Sequence, residues 1–365
     1  MNMKLKQPFS TMYENYSLSE NTSDKIDIGE HWDVFNSDFK KIIARTEFWP
    51  NFLRNSISIG FNDNLMNFSN ARTNQNNNFS NGWDLREKFD FKDLISENII
   101  DAEENKKNLN FLNSLFGLCG LDFVLKNIQS NVGSPTKTFF NIDPKKNKNY
   151  SNKNYFCNNH DLSDIYYFFI ICNYLKKSLS TKPITLLEIG SGYGGLISKI
   201  KHNYKGIKCI IIDLPEVLAV QNYYLSQEFP NSKFLFLTDL KKDGEKIFNY
   251  EFDFLLLPYW EIIRIPNKSL DLIINIRSMM EMTKEMIKYY FINIHRIIKD
   301  KGNFVCINRY EKYETKIREY PFDLKWKIIH SEQSKIQKHI HELILKRDNE
   351  SNNFSINKIL SDVSG

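Results

Sequence analysis

The stretch LLEIGSGYGG, residues 186–195, decides the fold class of this chain of 365 residues. An apolar run that ends at Ile189 leads directly into a glycine-rich turn, and a helical pattern follows from Gly195 to Tyr204. Glycine lets the backbone turn sharply and approach a ligand closely. The amino end of the following helix offers unpaired N–H groups and the positive end of the helix dipole. The pattern predicts a strand, a ligand-binding turn and a helix.

An acidic residue follows the next predicted strand. Cys209–Asp213 is apolar up to Asp213, which lies about 20 residues beyond the glycine turn, the usual spacing for a ribose-binding acid. A carboxylate there can accept hydrogen bonds from both hydroxyls of a ribose. The turn and the acid together predict a site for a nucleoside-containing cofactor.

Two cofactors fit the glycine turn. It can be aligned with the G-x-G-x-x-G motif of dinucleotide-binding folds, and it also reads E-x-G-x-G-x-G from Glu188. Three features favour S-adenosylmethionine over NAD(P). They are the acid Glu188 before the turn, the G-x-G-x-G spacing of Gly190, Gly192 and Gly194, and a predicted hairpin at the end of the chain.

After Pro183, short apolar runs alternate with helical patterns. The predicted strands are 184–189, 209–213, 234–237, 252–257, 270–276 and 303–308, and the predicted helices are 195–204, 215–227 and 284–298. This alternation predicts a parallel sheet with right-handed crossovers. A closing antiparallel pair, 326–330 with 340–345, completes an α/β fold of Rossmann-like type.

The chain before Pro183 has a different texture. Apolar residues recur at three- and four-residue steps over 31–65, 94–100 and 109–128, which is typical of helices, and Lys, Asn and Tyr crowd the stretch 143–159. The predicted organisation is a mainly helical N-terminal region over 1–130 with a loosely ordered start, a loop and helix over 131–180, the Rossmann-like domain over 181–347, and a polar tail over 348–365.

The composition is that of a soluble globular protein. Apolar residues make up 41% and charged residues 25% of the chain, near the average. The sequence has no apolar run long enough to span a bilayer, and polar residues follow Met1–Lys6, so we expect neither a membrane span nor a secretory signal. Five scattered cysteines indicate free thiols in a reducing cytoplasm. The net charge of +5 is modest, and its only dense basic stretch, 145–148 with Lys153, is interpreted as a solvated loop, which argues against a nucleic-acid partner.

The glycine turn resembles motif I of class I methyltransferases, which use S-adenosylmethionine and release S-adenosylhomocysteine. The resemblance implies that the turn wraps the methionine part of the cofactor and that the acid after the second strand binds the ribose. The residues that it assigns to the cofactor are Glu188, Gly190, Ser191, Gly192 and Asp213, to which we add their neighbours Tyr193 and Leu214.

Later blocks narrow the resemblance. The block DLPEVL at 213–218 is similar to O-methyltransferases in general. The blocks FLLLP at 254–258 and LDLIINIRSMMEM at 270–282, with Asn308-Arg309 after the fifth strand, are similar to the sugar O-methyltransferases of bacterial polysaccharide and nucleotide-sugar clusters. The similarity covers roughly Gly133 to Arg347. It implies O-methylation of a sugar hydroxyl, with a small sugar or nucleotide-sugar acceptor in the cytoplasm. The sequence is also compatible with a homodimer.

Two segments compete for the third strand of the sheet. Phe234–Leu237 leads to Asp239, an acid that would meet the adenine amine, whereas Phe252–Leu257 ends beside Pro258. The resemblance favours the second segment, which assigns Leu257 and Pro258 to the cofactor pocket.

Transfer of a methyl group to a hydroxyl needs correct positioning and removal of a proton. Side chains that follow the fourth and fifth strands lie at the carboxyl edge of the sheet, where α/β sites form. The candidates there are Asn275 for the cofactor, Ser278, Asn308 and Arg309 for the substrate, Arg277 as an anchor for an anionic part of the acceptor, and Glu281 as the general base. His160 is a second candidate base.

Other histidines and other functions compete less well. His339 and His341 alternate on one predicted strand, but no third ligand is adjacent, so we expect surface residues and no obligatory metal. The rival functions are an NAD(P)-dependent oxidoreductase or epimerase, a non-sugar O-methyltransferase, a scaffold with an idle pocket, and methylation of nucleic acid or protein. Against methylation of nucleic acid or protein, the sequence has no N-P-P-Y-type motif after strand four.

Overall fold

The computed structural model describes residues 102–128, 132, 137–142, 154–180, 183–240, 247–312, 315–348, 350 and 353–360. These residues divide into two compact units, one that ends at Ile170 and one that begins at Ile171. The helical patterns predicted over 31–65 and 94–100, and residues 143–153 of the predicted loop, lie outside the described part of the chain.

The first unit combines helices with a small hairpin. Its elements are α1 (Ala102–Cys119), α2 (Leu121–Asn127), β1 (Thr138–Asn141), β2 (Asn154–Cys157) and the start of α3 (Asn159–Ser180). The helix predicted over 109–128 is divided at Gly120, whose φ of 84° ends α1. Left-handed backbone of this kind costs glycine little.

The antiparallel pair of β1 and β2 was not predicted from the sequence. Each strand has only four residues, too few for a clear two-residue alternation. Phe140 stacks on Tyr155 with ring centroids 5.5 Å apart, and Asn108 of α1 donates to Thr138 Oγ1 over 3.1 Å. Contacts between residues distant in sequence therefore stabilise this hairpin.

The second unit contains an eight-stranded sheet. Its strands are β3 (Thr185–Ile189), β4 (Lys208–Asp213), β5 (Phe234–Phe236), β6 (Phe254–Pro258), β7 (Leu270–Ile276), β8 (Ile298–Arg309), β11 (Trp326–Gln333) and β12 (Ile340–Arg347), and its longer helices are α4 (Gly195–Asn203), α5 (Pro215–Glu228) and α6 (Lys284–Ile297). Two-residue strands β9 (Glu311–Lys312) and β10 (Thr315–Lys316) pair separately.

The strand order is β11-β12-β8-β7-β3-β4-β6-β5. Pairs from β5 to β8 are parallel, and β12 joins β8 and β11 as an antiparallel hairpin. The order reverses at β3, and ligands of open α/β sheets bind at such a point, which here is the carboxyl ends of β3 and β7. The Rossmann-like α/β sheet with its terminal hairpin is confirmed.

The structure resolves the choice of third strand. β6 pairs with β4, and Asp213 lies opposite Pro258. β5 pairs only with the outer side of β6, at the edge of the sheet, and Asp239 there accepts a hydrogen bond from Phe236 N. The second segment, 252–257, therefore supplies the strand beside β4, as the sequence favoured.

The end of the chain differs from a polar tail. Within 348–365, α7 (Ile356–Leu360) packs into the main core, where Phe354, Ile356 and Leu360 are buried. Phe322 and Phe354 approach to 5.3 Å between ring centroids. Three apolar residues among many Asn and Ser residues give a weak sequence signal, yet they anchor the segment. None of the helices described is both long and apolar enough to cross a membrane.

Candidate functional site

The glycine turn follows β3 and precedes α4. Gly190, Gly192 and Gly194 have φ values of 71°, 59° and 96°, which side chains disfavour. Gly190 N donates to Ile212 O of β4 over 3.0 Å, and Gly194 caps the amino end of α4. The turn thus lies at the carboxyl edge of β3 beside β4, where the sequence predicted a ligand site.

Glu188 is hydrogen-bonded to the glycine turn. Its side chain is only 3% exposed, and its Oε2 accepts a hydrogen bond of 2.7 Å from Ser191 Oγ. A buried carboxylate is stable only when hydrogen bonds or charges compensate for its lost hydration. Glu188 and Ser191, both predicted to serve the cofactor, are therefore joined, and the carboxylate holds the turn in shape.

Asp213 is tied to the same turn through Gln221. Gln221 Nε2 donates to Asp213 Oδ2 over 2.6 Å and to Gly192 O over 2.8 Å. Asp213 Oδ1 accepts from Leu214 N over 2.8 Å. Gln221 therefore fixes the distance between the predicted ribose acid and the glycine turn.

Gln221 was missed in the sequence, although a signal was present. It lies four residues after Val217 and four before Leu225, both buried, so it falls on the apolar stripe of α5. An amide on such a stripe needs a buried polar partner. Its side chain is fully buried, and its Oε1 has no hydrogen-bond partner among the described residues.

The other predicted pocket residues lie in the glycine turn, directly after β4 and at the end of β6. Leu214 is the N-cap of α5, directly before Pro215. Leu257 lies opposite Ile212 in register, and Pro258 opposite Asp213. Tyr193 is only 3% exposed, and its ring packs edge-on against Tyr224 with the ring centroids 4.8 Å apart.

The loop after β7 packs directly on the glycine turn. Asn275 Nδ2 donates to Ile189 O over 2.9 Å and to Ser278 Oγ over 2.7 Å. Ser278 Oγ also lies 3.2 Å from Ile189 O, to which it donates. Ser278 was predicted to bind substrate, and in the structure its hydroxyl is one of the groups that join the two loops.

Asn308 extends this network to β8. Its Nδ2 donates to Asn275 Oδ1 over 2.9 Å, and its Oδ1 accepts from Met280 N over 3.3 Å. Both asparagine side chains are fully buried, and every one of their polar atoms is hydrogen-bonded within the protein. Asn275 and Asn308 were predicted as ligand contacts, whereas their burial favours positioning of the two loops.

The charged candidates lie at the ends of β7 and β8. Arg277 follows β7 with a φ of 59°, and Arg309 is the last residue of β8. Glu281 ends a short 3-10 helix (Met279–Glu281) and forms an ion pair with Lys312. His160 lies half-buried in the first turn of α3, which belongs to the first unit, and its part in catalysis stays a prediction.

The prediction for the two alternating histidines is wrong for His341. His339 is exposed, but His341 is fully buried, with Tyr310 Oη 3.1 Å from Nδ1 and Ser331 Oγ 2.9 Å from Nε2. Burial and the nearby His330 lower the pKa of His341 from 6.5 to about 4, while Glu342 partly offsets them. Across the described ranges, no three side chains of the metal-binding types come together.

The sequence matches no protein-family model and no curated protein. Solved structures resemble it at low identity. An Aquifex aeolicus methyltransferase dependent on S-adenosylmethionine is 13% identical, over 56% of this chain and 99% of that one, with a TM-score of 0.31. A TehB-like methyltransferase from Corynebacterium glutamicum is 14% identical, over 48% and 85%, with a TM-score of 0.33.

The mitomycin 7-O-methyltransferase is 11% identical, and the match covers 51% of this chain and 57% of that chain with a TM-score of 0.30. This chain therefore spans little more than half of that enzyme. Similarities this low assign neither a reaction nor a substrate. The fold of the second unit rests on its own strand order and hydrogen-bond register.

Proposed function

We propose that this chain is an S-adenosylmethionine-dependent O-methyltransferase that acts on a sugar hydroxyl, of a nucleotide-activated sugar or a surface-glycan unit. The bridge from Asp213 through Gln221 to Gly192 carries the proposal. The bridge connects the acid at the end of β4 to the glycine turn that follows β3. An acid and a glycine turn on neighbouring strands suit a nucleoside with a charged tail.

The residues present fit the cofactor. Three glycines with left-handed φ values bring the backbone to the crevice without side chains, and the amino end of α4 offers N–H groups to a carboxylate. Asp213 would bind the ribose hydroxyls, and Leu257 and Pro258 would border the base. S-adenosylmethionine would supply an electrophilic methyl group on its sulfonium.

The acceptor hydroxyl must lose a proton to become a good nucleophile. Glu281 is our candidate to take that proton, because an ionised carboxylate near the carboxyl ends of β7 and β8 can act as a general base. Lys312 pairs with Glu281 and so orients it. The buried asparagine pair keeps the loop that carries Glu281 against the glycine turn, which supports a fixed geometry for reaction.

Calorimetry with S-adenosylhomocysteine tests the cofactor assignment. We expect micromolar binding to the wild type, loss of binding in Asp213→Ala, and unchanged binding in Asp239→Ala, because Asp239 lies on the edge strand side of the sheet. No binding to well-folded wild type would contradict the proposal. Binding of NAD(P) in its place would support an oxidoreductase.

A screen of sugar acceptors tests the reaction. Wild type with S-adenosylmethionine and nucleotide sugars should give a product heavier by one CH₂ unit. Glu281→Gln should bind S-adenosylhomocysteine normally and lose turnover. Transfer to a non-sugar hydroxyl, with every sugar inactive, would keep the methyltransferase assignment and reject the sugar.

We also place the reaction in the cytoplasm. All five cysteines are free thiols, four of them buried, as expected of a protein kept in a reducing compartment. Nucleotide-linked sugars are small polar substrates that would be met there.

A further inference from the structure

Two arginines and a histidine lie at the carboxyl ends of β7 and β8. β7 and β8 are parallel neighbours, so Arg277 and Arg309 both follow carboxyl ends. Arg277 N donates to Ile307 O over 2.7 Å. Arg309 pairs with Ile340 across the antiparallel ladder, and His339 precedes Ile340. Three basic side chains therefore start from adjacent backbone positions.

Neither arginine has a protein partner for its charge within the described ranges. The Nε atoms of Arg277 and Arg309 are both buried and without a hydrogen-bond partner there, and no ion pair with a carboxylate of the described chain engages either side chain. A guanidinium has five donors, and a buried donor that stays unsatisfied is costly. Other partly buried arginines behave differently: Arg347 pairs with Asp323, and Arg296 donates to several carbonyl oxygens.

The pKa of His339 is lowered by the same two arginines. Partial loss of hydration lowers the pKa of the exposed His339 below its ordinary 6.5, and the positive charges of Arg309 and then Arg277 lower it further. No carboxylate offsets these effects. At His295 and His341, by contrast, a carboxylate partly offsets the lowering of the pKa: Asp323 does so for His295 and Glu342 for His341. The cluster therefore contains positive charge without a compensating acid.

The backbone at Arg277 is held by the loop that packs on the glycine turn. Its φ of 59° is left-handed, a conformation that is uncommon for a non-glycine residue and that must be held by the surrounding structure. Neighbouring Asn275 and Ser278 are held by hydrogen bonds to Ile189 O. These hydrogen bonds hold the loop that carries Arg277 at the carboxyl end of β7.

We propose that Arg277, Arg309 and His339 form a binding subsite for a phosphate group of the acceptor. Two guanidinium groups can each donate a pair of hydrogen bonds to phosphate oxygens, a geometry that lysine cannot offer. An exposed imidazole at the rim can gain a proton as the anion enters. The inference rests on the proposed function only in naming the bound group as part of the acceptor.

The test uses inorganic pyrophosphate as the probe. Calorimetry should detect binding to the wild type that weakens with salt, and Arg277→Gln and Arg309→Gln should each weaken it by about tenfold or more. Lys301→Gln is the matched control, because it removes one exposed positive charge from the other end of the strand that carries Arg309. In wild type, pyrophosphate should also raise the pKa of His339, followed by NMR.

The outcomes separate the two proposals. Binding of S-adenosylhomocysteine is measured on the same samples, so a wild type that binds S-adenosylhomocysteine but not pyrophosphate overturns the subsite alone. Pyrophosphate binding that is unchanged in both arginine variants, or that falls equally in Lys301→Gln, also overturns it. Acetate that binds as tightly as pyrophosphate would reject phosphate as the group recognised. A pyrophosphate response confined to the arginine variants, with or without cofactor binding, supports the subsite.

Discussion

Ser278 occupies the space that a β-carbon on Gly190 would need. A β-carbon built at position 190 would lie 2.0 Å from Ser278 Oγ and 2.4 Å from Ser278 Cβ. Real β-carbons do not approach other atoms so closely. The backbone at Gly190 therefore packs directly against the Ser278 side chain, and the first glycine of the motif is needed for packing within the protein.

Gly190→Ala should destabilise the fold and abolish S-adenosylhomocysteine binding. Overpacking and the left-handed φ together should cost roughly 2–5 kcal/mol of unfolding free energy. Urea unfolding followed by tryptophan fluorescence measures this. Gly206→Ala is the control, since a β-carbon there meets nothing within 4 Å. Equal stability of the two variants would contradict the close contact.

Gln221→Leu should weaken S-adenosylhomocysteine binding by about tenfold or more, because Asp213 and Gly192 O lose a shared donor, worth about 1–3 kcal/mol when buried. Leucine keeps the volume of the side chain in the core of α5. Gln227→Leu on the same helix is exposed and should bind normally. Normal binding by Gln221→Leu, measured by calorimetry, would show that the bridge does not shape the site.

Asn275 and Asn308 should be energetically coupled. Asn275→Ala and Asn308→Ala each leave buried groups unpaired and should each lower the unfolding free energy by about 1–3 kcal/mol. The double variant should lose less than the sum, by about 0.5 kcal/mol or more, because the bond between the two amides is removed only once. A double-mutant cycle in urea measures the coupling. Simple additivity would argue against the hydrogen bond.

His341 should make the fold sensitive to acid. Its folded pKa of about 4 lies below the ordinary 6.5, so the unfolded chain binds the proton more tightly. The stabilisation is complete above about pH 6.5 and is lost as the pH falls from there to about 4, with a total of roughly 3 kcal/mol at about 1.4 kcal/mol per pKa unit.

His341→Gln removes this titration while its amide can still bond Tyr310 and Ser331. Urea unfolding across this pH range should therefore give a flatter profile for the variant than for wild type. Parallel profiles would mean that His341 is protonated equally in both states.

The sheet was predictable because its signals are local. Each central strand is a short apolar run next to a helix pattern, as parallel strands buried on both faces must be. β5 is only three residues long and pairs with β6 on the side away from β4. No local pattern in the sequence indicates this position in the strand order. The pairing of β1 with β2 escaped prediction for a related reason, since it depends on contacts between distant residues.

The site was predictable where chemistry is encoded in adjacent residues. The glycine spacing and Asp213 are visible in one line of sequence. Gln221 and the Asn275–Asn308 pair owe their roles to partners 29 and 33 residues away. The burial of His341 likewise arises from its place between β8 and β11, since a strand residue can face either side of a sheet.

The bulge in β11 bears on how copies of this chain meet. β11 is a border strand of the described sheet and pairs on one side only, with β12. Its register shifts between Ile328 and His330, and Lys327 and Glu332 are exposed along it. An irregular, charged border offers no even row of backbone donors and acceptors for strand addition. The sheet is thereby protected at this border from aggregation by edge-to-edge self-association.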